Sequence, residues 1–157
     1  MQFLVFSDSH GDTRLMQDIV AANMADGVIF LGDYINDCVK LQRAFPELKI
    51  FAVPGNCDFA SPLPREVLLE LGVNKIYLTH GHMHGVKSDY EQVAAAAAAN
   101  QACACLFGHS HVPVLCEKNG ILLLNPGSIT DPRGHLGRSY AVLNILDGKV
   151  SAEIIEA

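Results

Sequence analysis

Short apolar runs that each stop at a polar, glycine-bearing cluster constrain this chain more than any other feature. "QFLVF" runs into "SDSHGD", "GVIFLGD" ends on Asp33 and "LKIFAVPGN" on Asn56. "NKIYLTHGHMHG" closes on His80, His82 and His84, and "CACLFGHSHVPV" on His109 and His111. Runs that are apolar at nearly every position are typical of strands buried on both faces. Six of the seven histidines stand at three of these run ends. A fold that aligned those ends would gather carboxylates, an amide and imidazoles at one place.

The segments between the runs say how the strands are connected. "TRLMQDIVAANM" puts Leu15, Ile19 and Ala22 at helical spacing, and "NDCVKLQRAF" reads as a helix carrying Val39 and Ala44. Strands alternating with such helices imply βαβ units and a parallel sheet. Later the style changes. "REVLLELGVNKIYLTHG" reads as two strands folded about Gly72-Val73-Asn74. Asn119-Gly120 and Asp147-Gly148 each lie between apolar runs, a strong hairpin signal. "YEQVAAAAAANQAC" is a helix by propensity, and its alanines suit a slim helix lying close on a sheet. The expectation is a mixed α/β sandwich, a parallel half followed by antiparallel hairpins. No composition shift or repeat divides residues 1–157, which are expected to form one domain.

Composition removes several function classes. The formal charge of −6 gives no basic footprint for nucleic-acid phosphate, so strong nucleic-acid binding is not expected. No apolar run approaches the roughly 20 residues that span a bilayer, and the first residues lack the pattern of a signal peptide. Five cysteines (Cys38, Cys57, Cys103, Cys105, Cys116), odd in number and without paired CxxC spacing, suggest reduced thiols and a cytoplasmic location. Cys103 and Cys105 alternate within an apolar run and are expected to be small buried residues.

In open α/β sheets, ligands sit in the crevice beyond the carboxyl ends of the strands. There the chain would collect Asp8, His10, Asp33, Asn56, His80, His109 and His111. Imidazole and carboxylate together suit borderline divalent ions. The pairs in "DSH" and "HSH" are two residues apart and would face the same way in an extended strand. Gly32, Gly55 and Gly108 each precede a candidate ligand and would let the backbone turn sharply. Seven ligands are too many for one tetrahedral ion and suit two. A shared carboxylate, which Asp33 would supply, holds such ions about 3.5–4 Å apart. Each motif alone has an ordinary reading: Asp33 as a helix cap, Gly55-Asn56 as turn chemistry, His111 as a surface histidine. Their joint occurrence at successive strand ends is what points to a metal site.

The order D-x-H, GD, GN, HG, GHxH resembles the calcineurin-like metallophosphoesterase superfamily over nearly the whole chain. "FSDSHGD", "GNCD", "THGH", "FGHSHVP" and "NPGS" are similar to its small bacterial and archaeal phosphodiesterases of the YfcE type. The resemblance implies an α/β/β/α four-layer sandwich of two mixed sheets flanked by helices. It implies that Asp8, His10 and His111 hold one ion, that Asn56, His80 and His109 hold the other, and that Asp33 bridges them. It also makes Asn125 to Ser128 a strand-end turn facing the site, the alternative being a plain Pro-Gly turn.

The sequence departs from the superfamily pattern at Cys57, where many members carry a histidine that protonates the leaving group. A thiol is a poorer acid than an imidazolium near neutrality, which favours leaving groups that need little protonation. His82 and His84 are additional; His82 is a candidate beside the phosphate and His84 an exposed surface residue.

The expected activity is hydrolysis of phosphodiesters by a metal-bridging hydroxide, with Asn56, His82 and Cys57 as catalytic candidates. The expected cofactors are two divalent ions, Mn2+ first, with Zn2+, Fe2+, Ni2+ or Mg2+ as alternatives. The partner is a small phosphate-ester substrate, with no membrane and with a homodimer or homotetramer left open. A phosphomonoesterase on the same site and a non-catalytic protein-interaction scaffold are the alternative functions. The 127–140 loop carries Arg133, His135 and Arg138, either an anion-holding segment or a solvated turn.

Overall fold

A computed structural model describes residues 1–157. Its first strand, β1 (Gln2–Phe6), shows why the apolar runs have no polar face. Phe3 and Val5 pack into a cluster with Ile76, Leu78, Leu106 and Leu124, while Leu4 and Phe6 point the other way, against Met16, Val20 and Leu41. Successive side chains alternate sides, and here both sides are dry.

The chain continues through α1 (Arg14–Ala22), β2 (Gly27–Phe30), α2 (Asn36–Ala44), β3 (Ile50–Ala52), β4 (Glu66–Leu71) and β5 (Asn74–Thr79). A single 3-10 turn (His82–His84) leads to α3 (Glu91–Ala99), then β6 (Ala104–Leu106), β7 (Val114–Lys118), β8 (Ile121–Asn125), β9 (Ser139–Leu146) and β10 (Lys149–Glu156). Two five-stranded mixed sheets result, ordered β10-β9-β1-β2-β3 and β4-β5-β6-β8-β7. One apolar cluster lies between the sheets, a second joins α1 and α2 to the first sheet, and a third joins α3 to the second. This is the expected α/β/β/α sandwich.

The alanine tract explains the closeness of the last layer. Ala94 and Ala97 of α3 are buried against Tyr77, Cys105 and Phe107, where larger side chains would push the helix outward. Of the two alternating cysteines, Cys105 is fully buried and Cys103 partly so.

The expected division into a parallel half and an antiparallel half is corrected. β5, β6 and β8 pair in parallel, Leu78 opposite Leu106 and Leu106 opposite Leu124. The C-terminal hairpin leaves its neighbours in sequence and pairs β9 antiparallel with β1, Leu4 opposite Val142. The hairpin turns themselves form as read. Asn119 (φ 52°) with Gly120 (φ 77°), and Asp147 (φ 51°) with Gly148 (φ 75°), both take the doubly left-handed turn that matches strand twist. The first hairpin turns on Gly72 and Val73, with Asn74 already in β5. The buried face of α1 is Met16, Ile19 and Val20, and that of α2 is Asp37 and Leu41, so Ala22 and Val39 are solvent-facing.

The parallel strands place their carboxyl ends along one edge. β1, β2 and β3 end there in one sheet, β5, β6 and β8 in the other, and every predicted ligand follows one of those ends.

Candidate metal centre

The ligand turns depart from extended geometry immediately after the strands. Asp8 (φ 55°), His10 (φ 45°), Asp33 (φ 57°), His109 (φ 66°) and His111 (φ 58°) all adopt left-handed backbone. The expectation that Asp8 and His10, or His109 and His111, share a face of an extended strand is therefore wrong. Tight left-handed turns bring them together instead. Non-glycine residues in this region cost about 1–3 kcal/mol each and persist only where the surroundings fix them. A handful of buried apolar side chains, each stabilising by about 1.5–3 kcal/mol, offsets that strain.

Those surroundings are specific. Asp37, buried to 1% exposure, accepts from Ser9 Oγ at 2.7 Å and from Gly11 N at 2.8 Å, and pairs with Lys40 at 2.8 Å. It thus clamps the loop that carries Asp8 and His10. Asp58 accepts from Ile35 N and from Gly55 N, each at 2.8 Å, tying the Asn56 turn to the start of α2. Asn125 Nδ2 donates to Gly108 O at 2.8 Å and to Ser110 Oγ at 3.0 Å; Ser128 Oγ donates to Asp8 O at 2.8 Å. The "NPGS" segment is therefore a brace between the two sheets' ligand loops and more than a plain turn. Gly55 and Gly108 have ordinary φ but no room: a Cβ would overlap Asp33 Oδ1 at the first and Ser7 Oγ at the second. Gly32 (φ 96°) is the one of the three that needs a left-handed backbone.

Within this frame the polar atoms converge. Asp8, His10, Asp33 and His111 each offer an atom, all within 4.8 Å of one another. His111 Nδ1 donates to Asp131 O at 2.6 Å, which turns its Nε2 lone pair toward Asp8 Oδ1 at 3.2 Å and His10 Nε2 at 3.4 Å. His80 Nδ1 donates to Leu31 O at 2.6 Å, aiming Nε2 at Asp33 Oδ1 (3.5 Å) and Asn56 Oδ1 (3.2 Å). The His109 ring lies 5.1 Å from that of His80, and His109 N donates to Asp8 Oδ2 at 3.1 Å. Asp33 stands between the two sides, Oδ1 toward His80 and Oδ2 4.0 Å from His10. All seven predicted ligands are brought to one place.

The donor set fits divalent cations. Asp8 Oδ1 is buried without a hydrogen-bond donor, and lone pairs of neutral imidazoles face carboxylate and amide oxygens. Such acceptor-to-acceptor contacts need either extra protons on the rings or cations between them. A ring N–H held by a backbone carbonyl is the usual way a ligating histidine is oriented.

Electrostatics accord with this crowding. Burial raises the Asp8 carboxyl's proton affinity, but the His111 contact, the His80 charge and the 2.5 Å Ser7 hydroxyl bond outweigh it, so the pKa falls. For His111 burial acts downward, yet Asp8 lifts the net value above the ordinary one. Burial, His80 and Lys87 push His109 down to about 4. Burial and Asp33 push the Cys57 thiol up to about 11; its Sγ lies 3.4 Å from Asp33 Oδ2.

A cavity of about 180 Å³ opens onto these groups, lined by His10, Asp33, Asn56, Cys57, Lys87, His109, His111, Asp131 and Arg133. Of the 127–140 loop, Arg133 reaches the cavity and pairs with Asp131 at 3.7 Å, whereas His135 and Arg138 are solvent-exposed. His82 does not line the cavity; its ring lies tilted 5.4 Å from that of His80 and takes a 3.1 Å hydrogen bond from Arg65. His84 is not the exposed residue expected. Its side chain is 12% exposed, pairs with Glu66 at 3.2 Å and stands edge-on to Tyr77. Asp37, Asp58, Ser7 and Lys87 were not predicted. Of these, Asp58 inside "GNCD" and Ser7 inside "FSDSHGD" had a motif to mark them.

The comparisons agree with this architecture. Residues 1–148 match the model of the calcineurin-like phosphoesterase superfamily domain. The chain is 40% identical over 148 residues to the probable metallophosphoesterase YsnB of Bacillus subtilis, covering 92% of this chain and 85% of that one. It is 30% identical over 172 aligned positions to the phosphodiesterase YfcE of Escherichia coli K12, covering 92% and 88%. A crystal structure from Streptococcus pneumoniae TIGR4, described as a conserved protein and predicted phosphoesterase, superposes with a TM-score of 0.84. It is 33% identical and covers 99% of this chain and 88% of that one. The two sheets, with their parallel strand ends along one edge, are the metallophosphoesterase fold. The chain belongs to the calcineurin-like phosphoesterase superfamily, a family that uses divalent metals. No helix is long and apolar enough to cross a membrane.

Proposed function

We propose that this protein is a dinuclear metal-dependent phosphodiesterase. The observation that carries the reading is Asp33, whose two carboxylate oxygens face different histidines, Oδ1 toward His80 at 3.5 Å and Oδ2 toward His10 at 4.0 Å. A carboxylate so placed suits the bridge between two ions. Asp8, His10 and His111 would hold one ion, and Asn56, His80 and His109 the other, Mn2+ being the favoured occupant and Zn2+, Fe2+, Ni2+ or Mg2+ the alternatives. When bound, such ions lower the pKa of a coordinated water to near neutrality and neutralise charge on phosphoryl oxygens.

The chain's own groups do the rest. The backbone carbonyls of Leu31 and Asp131 hold His80 and His111 in the tautomer that leaves Nε2 free. Asn56 Nδ2 points to Cys57 Sγ, and Cys57 N and Sγ both turn toward Asp33, orienting the carboxylate. The cavity is lined mostly by polar groups, which suits a charged ester better than an apolar ligand.

The likeness to the phosphodiesterase YfcE supports the diester reading, and Cys57 bears on which leaving groups can depart. A thiol is a weaker acid near neutrality than an imidazolium, and burial and Asp33 raise this one further in the metal-free protein, so departing groups must leave largely without a proton. Aryl oxygens and activated diesters meet that demand. Thiolate attack has little support, because the same environment that raises the pKa keeps the sulfur protonated. A scaffold without activity would have no use for seven converging donors, five of them at strained backbone positions.

The test is turnover by manganese-loaded protein of bis(p-nitrophenyl) phosphate against p-nitrophenyl phosphate, with Asn56→Ala as control. Faster diester turnover, lost in the variant, is expected. Faster monoester turnover would reverse the preference, and chelator-insensitive activity would remove the metal from the account.

A further inference from the structure

We propose that the Arg65–His82–Lys87 flank of the cavity binds a second anionic group of the substrate, making the substrates phosphate esters that carry a further phosphate or carboxylate beside the cleaved ester. The inference rests on the phosphoesterase reading above. It starts from the pairing of cations in a chain whose formal charge is −6. Lys40, Arg14, Lys118 and Arg133 each pair with a carboxylate. The other seven of the eleven lysines and arginines have none within 4.0 Å; of these Lys87 lines the cavity and Arg65 contacts His82 behind it.

Carboxylates near them in sequence are committed elsewhere. Glu66, adjacent to Arg65, pairs with His84. Asp89, two residues beyond Lys87, accepts from Glu91 N at 2.9 Å. On the His111 side Asp131 partners Arg133, so of the two cations lining the cavity Lys87 is the unpaired one. It lies on the His109 flank.

The two cations are linked through that flank. Lys87 lines the cavity together with His109. The preceding Val86 is buried, and a Cβ on Gly81 would approach its Cγ2 to 2.9 Å, so the backbone under Lys87 is closely packed. Arg65 Nη1 donates to His82 Nε2 at 3.1 Å, and the His82 ring lies 6.0 Å from that of His109. That bond is the only one Arg65's side chain makes, leaving the other donors of an exposed guanidinium free. A guanidinium fork and an ammonium reaching toward one flank are the donor types that recognise phosphate or carboxylate. A simple aryl diester offers this flank nothing to bind.

The experiment compares kcat/KM for the p-nitrophenyl ester of thymidine 5′-monophosphate and for the same ester carrying a 3′-phosphate, at low and high salt. Two solvent-exposed ion pairs are each worth a few-fold, so the extra phosphate should raise kcat/KM by about tenfold, mostly through KM. The advantage should shrink at high salt, where charges are screened. In the Arg65→Gln/Lys87→Gln double variant the ratio of the two esters should fall to about one. It should persist in Lys87→Arg and in Lys149→Gln, a distant exposed lysine. A ratio near one in the unaltered protein, or a ratio that survives the double change, overturns the inference while leaving the phosphoesterase reading intact. Failure to hydrolyse either ester would instead overturn that reading, and the inference with it.

Discussion

His10 Nε2 and His111 Nε2 lie 3.4 Å apart although the residues are 101 positions apart in sequence. His111 gives its only neutral-form proton to Asp131 O, so its Nε2 contributes a lone pair to the contact. Removing either ring should therefore empty one ion site without unfolding the sandwich. His10→Ala and His111→Ala are each predicted to bind about one ion fewer per chain and to lose more than the roughly 10–100-fold typical of outer supporting partners. Elemental analysis of dialysed, manganese-loaded protein together with diester turnover checks both. Two ions retained in His111→Ala would exclude it as a ligand.

Asp37 touches no candidate ligand side chain, yet it holds Ser9 and Gly11 on either side of His10. Asp37→Ala should weaken metal affinity by about 10–100-fold and leave the number of sites unchanged. Calorimetric titration of the chelator-treated protein with Mn2+ separates those two effects. An unaltered affinity would mean the loop is held by its neighbours alone.

Gly108 has no space for a side chain, because Ser7 Oγ and Asp8 Oδ2 occupy it. Gly108→Ala is predicted to destabilise by about 1–3 kcal/mol, as overpacking does, and to displace His109. Urea unfolding gives the first quantity and metal titration the second. Gly72→Ala is a useful contrast: a Cβ there would meet nothing within 4 Å, so any loss comes from its left-handed backbone and should spare metal affinity.

Histidine titration predicts acid sensitivity of the metal-free protein. The folded pKa of His109, about 4, lies below the ordinary value near 6.5, so between these limits the unfolded chain binds a proton that the folded one does not. Stability then falls as pH drops from about 6.5 toward 4. His111, whose pKa is raised, acts oppositely: its contribution is complete below about 6.5 and is lost as pH rises through its folded value. In chelator-treated protein the acid-side fall in Tm should be a few degrees smaller in His109→Asn, allowing for the ring's partial exposure. An equal fall would assign the acid sensitivity to the carboxylates.

Much of this was legible because local chemistry specifies it. The run ends at Asp33, Asn56 and His80 marked the edge where the polar groups converge. The Asn119-Gly120 turn fixed its hairpin, and the alanines of α3 announced a closely packed layer. Long-range choices were not legible. Nothing in "SYAVLNIL" says that it pairs with β1, since period and propensity carry no partner label. The left-handed turns at Asp8, His10, His109 and His111 come from tertiary bracing by Asp37, Asn125 and Ser128, so an extended geometry was the natural and wrong inference. Asp37 itself reads as a solvent-facing helix residue until the loop that it clamps is seen. His84 reads as surface until Glu66 and Tyr77 enclose it. Lys87 is an ordinary loop lysine in sequence and acquires meaning only from the cavity beside it.

The most direct measurement is the rate of bis(p-nitrophenyl) phosphate hydrolysis as a function of bound manganese per chain, starting from chelator-treated protein. Activity should be absent without metal and should reach its plateau as the second ion binds, with chelator reversing it. A plateau at one ion, or turnover that does not depend on occupancy, would contradict the dinuclear account.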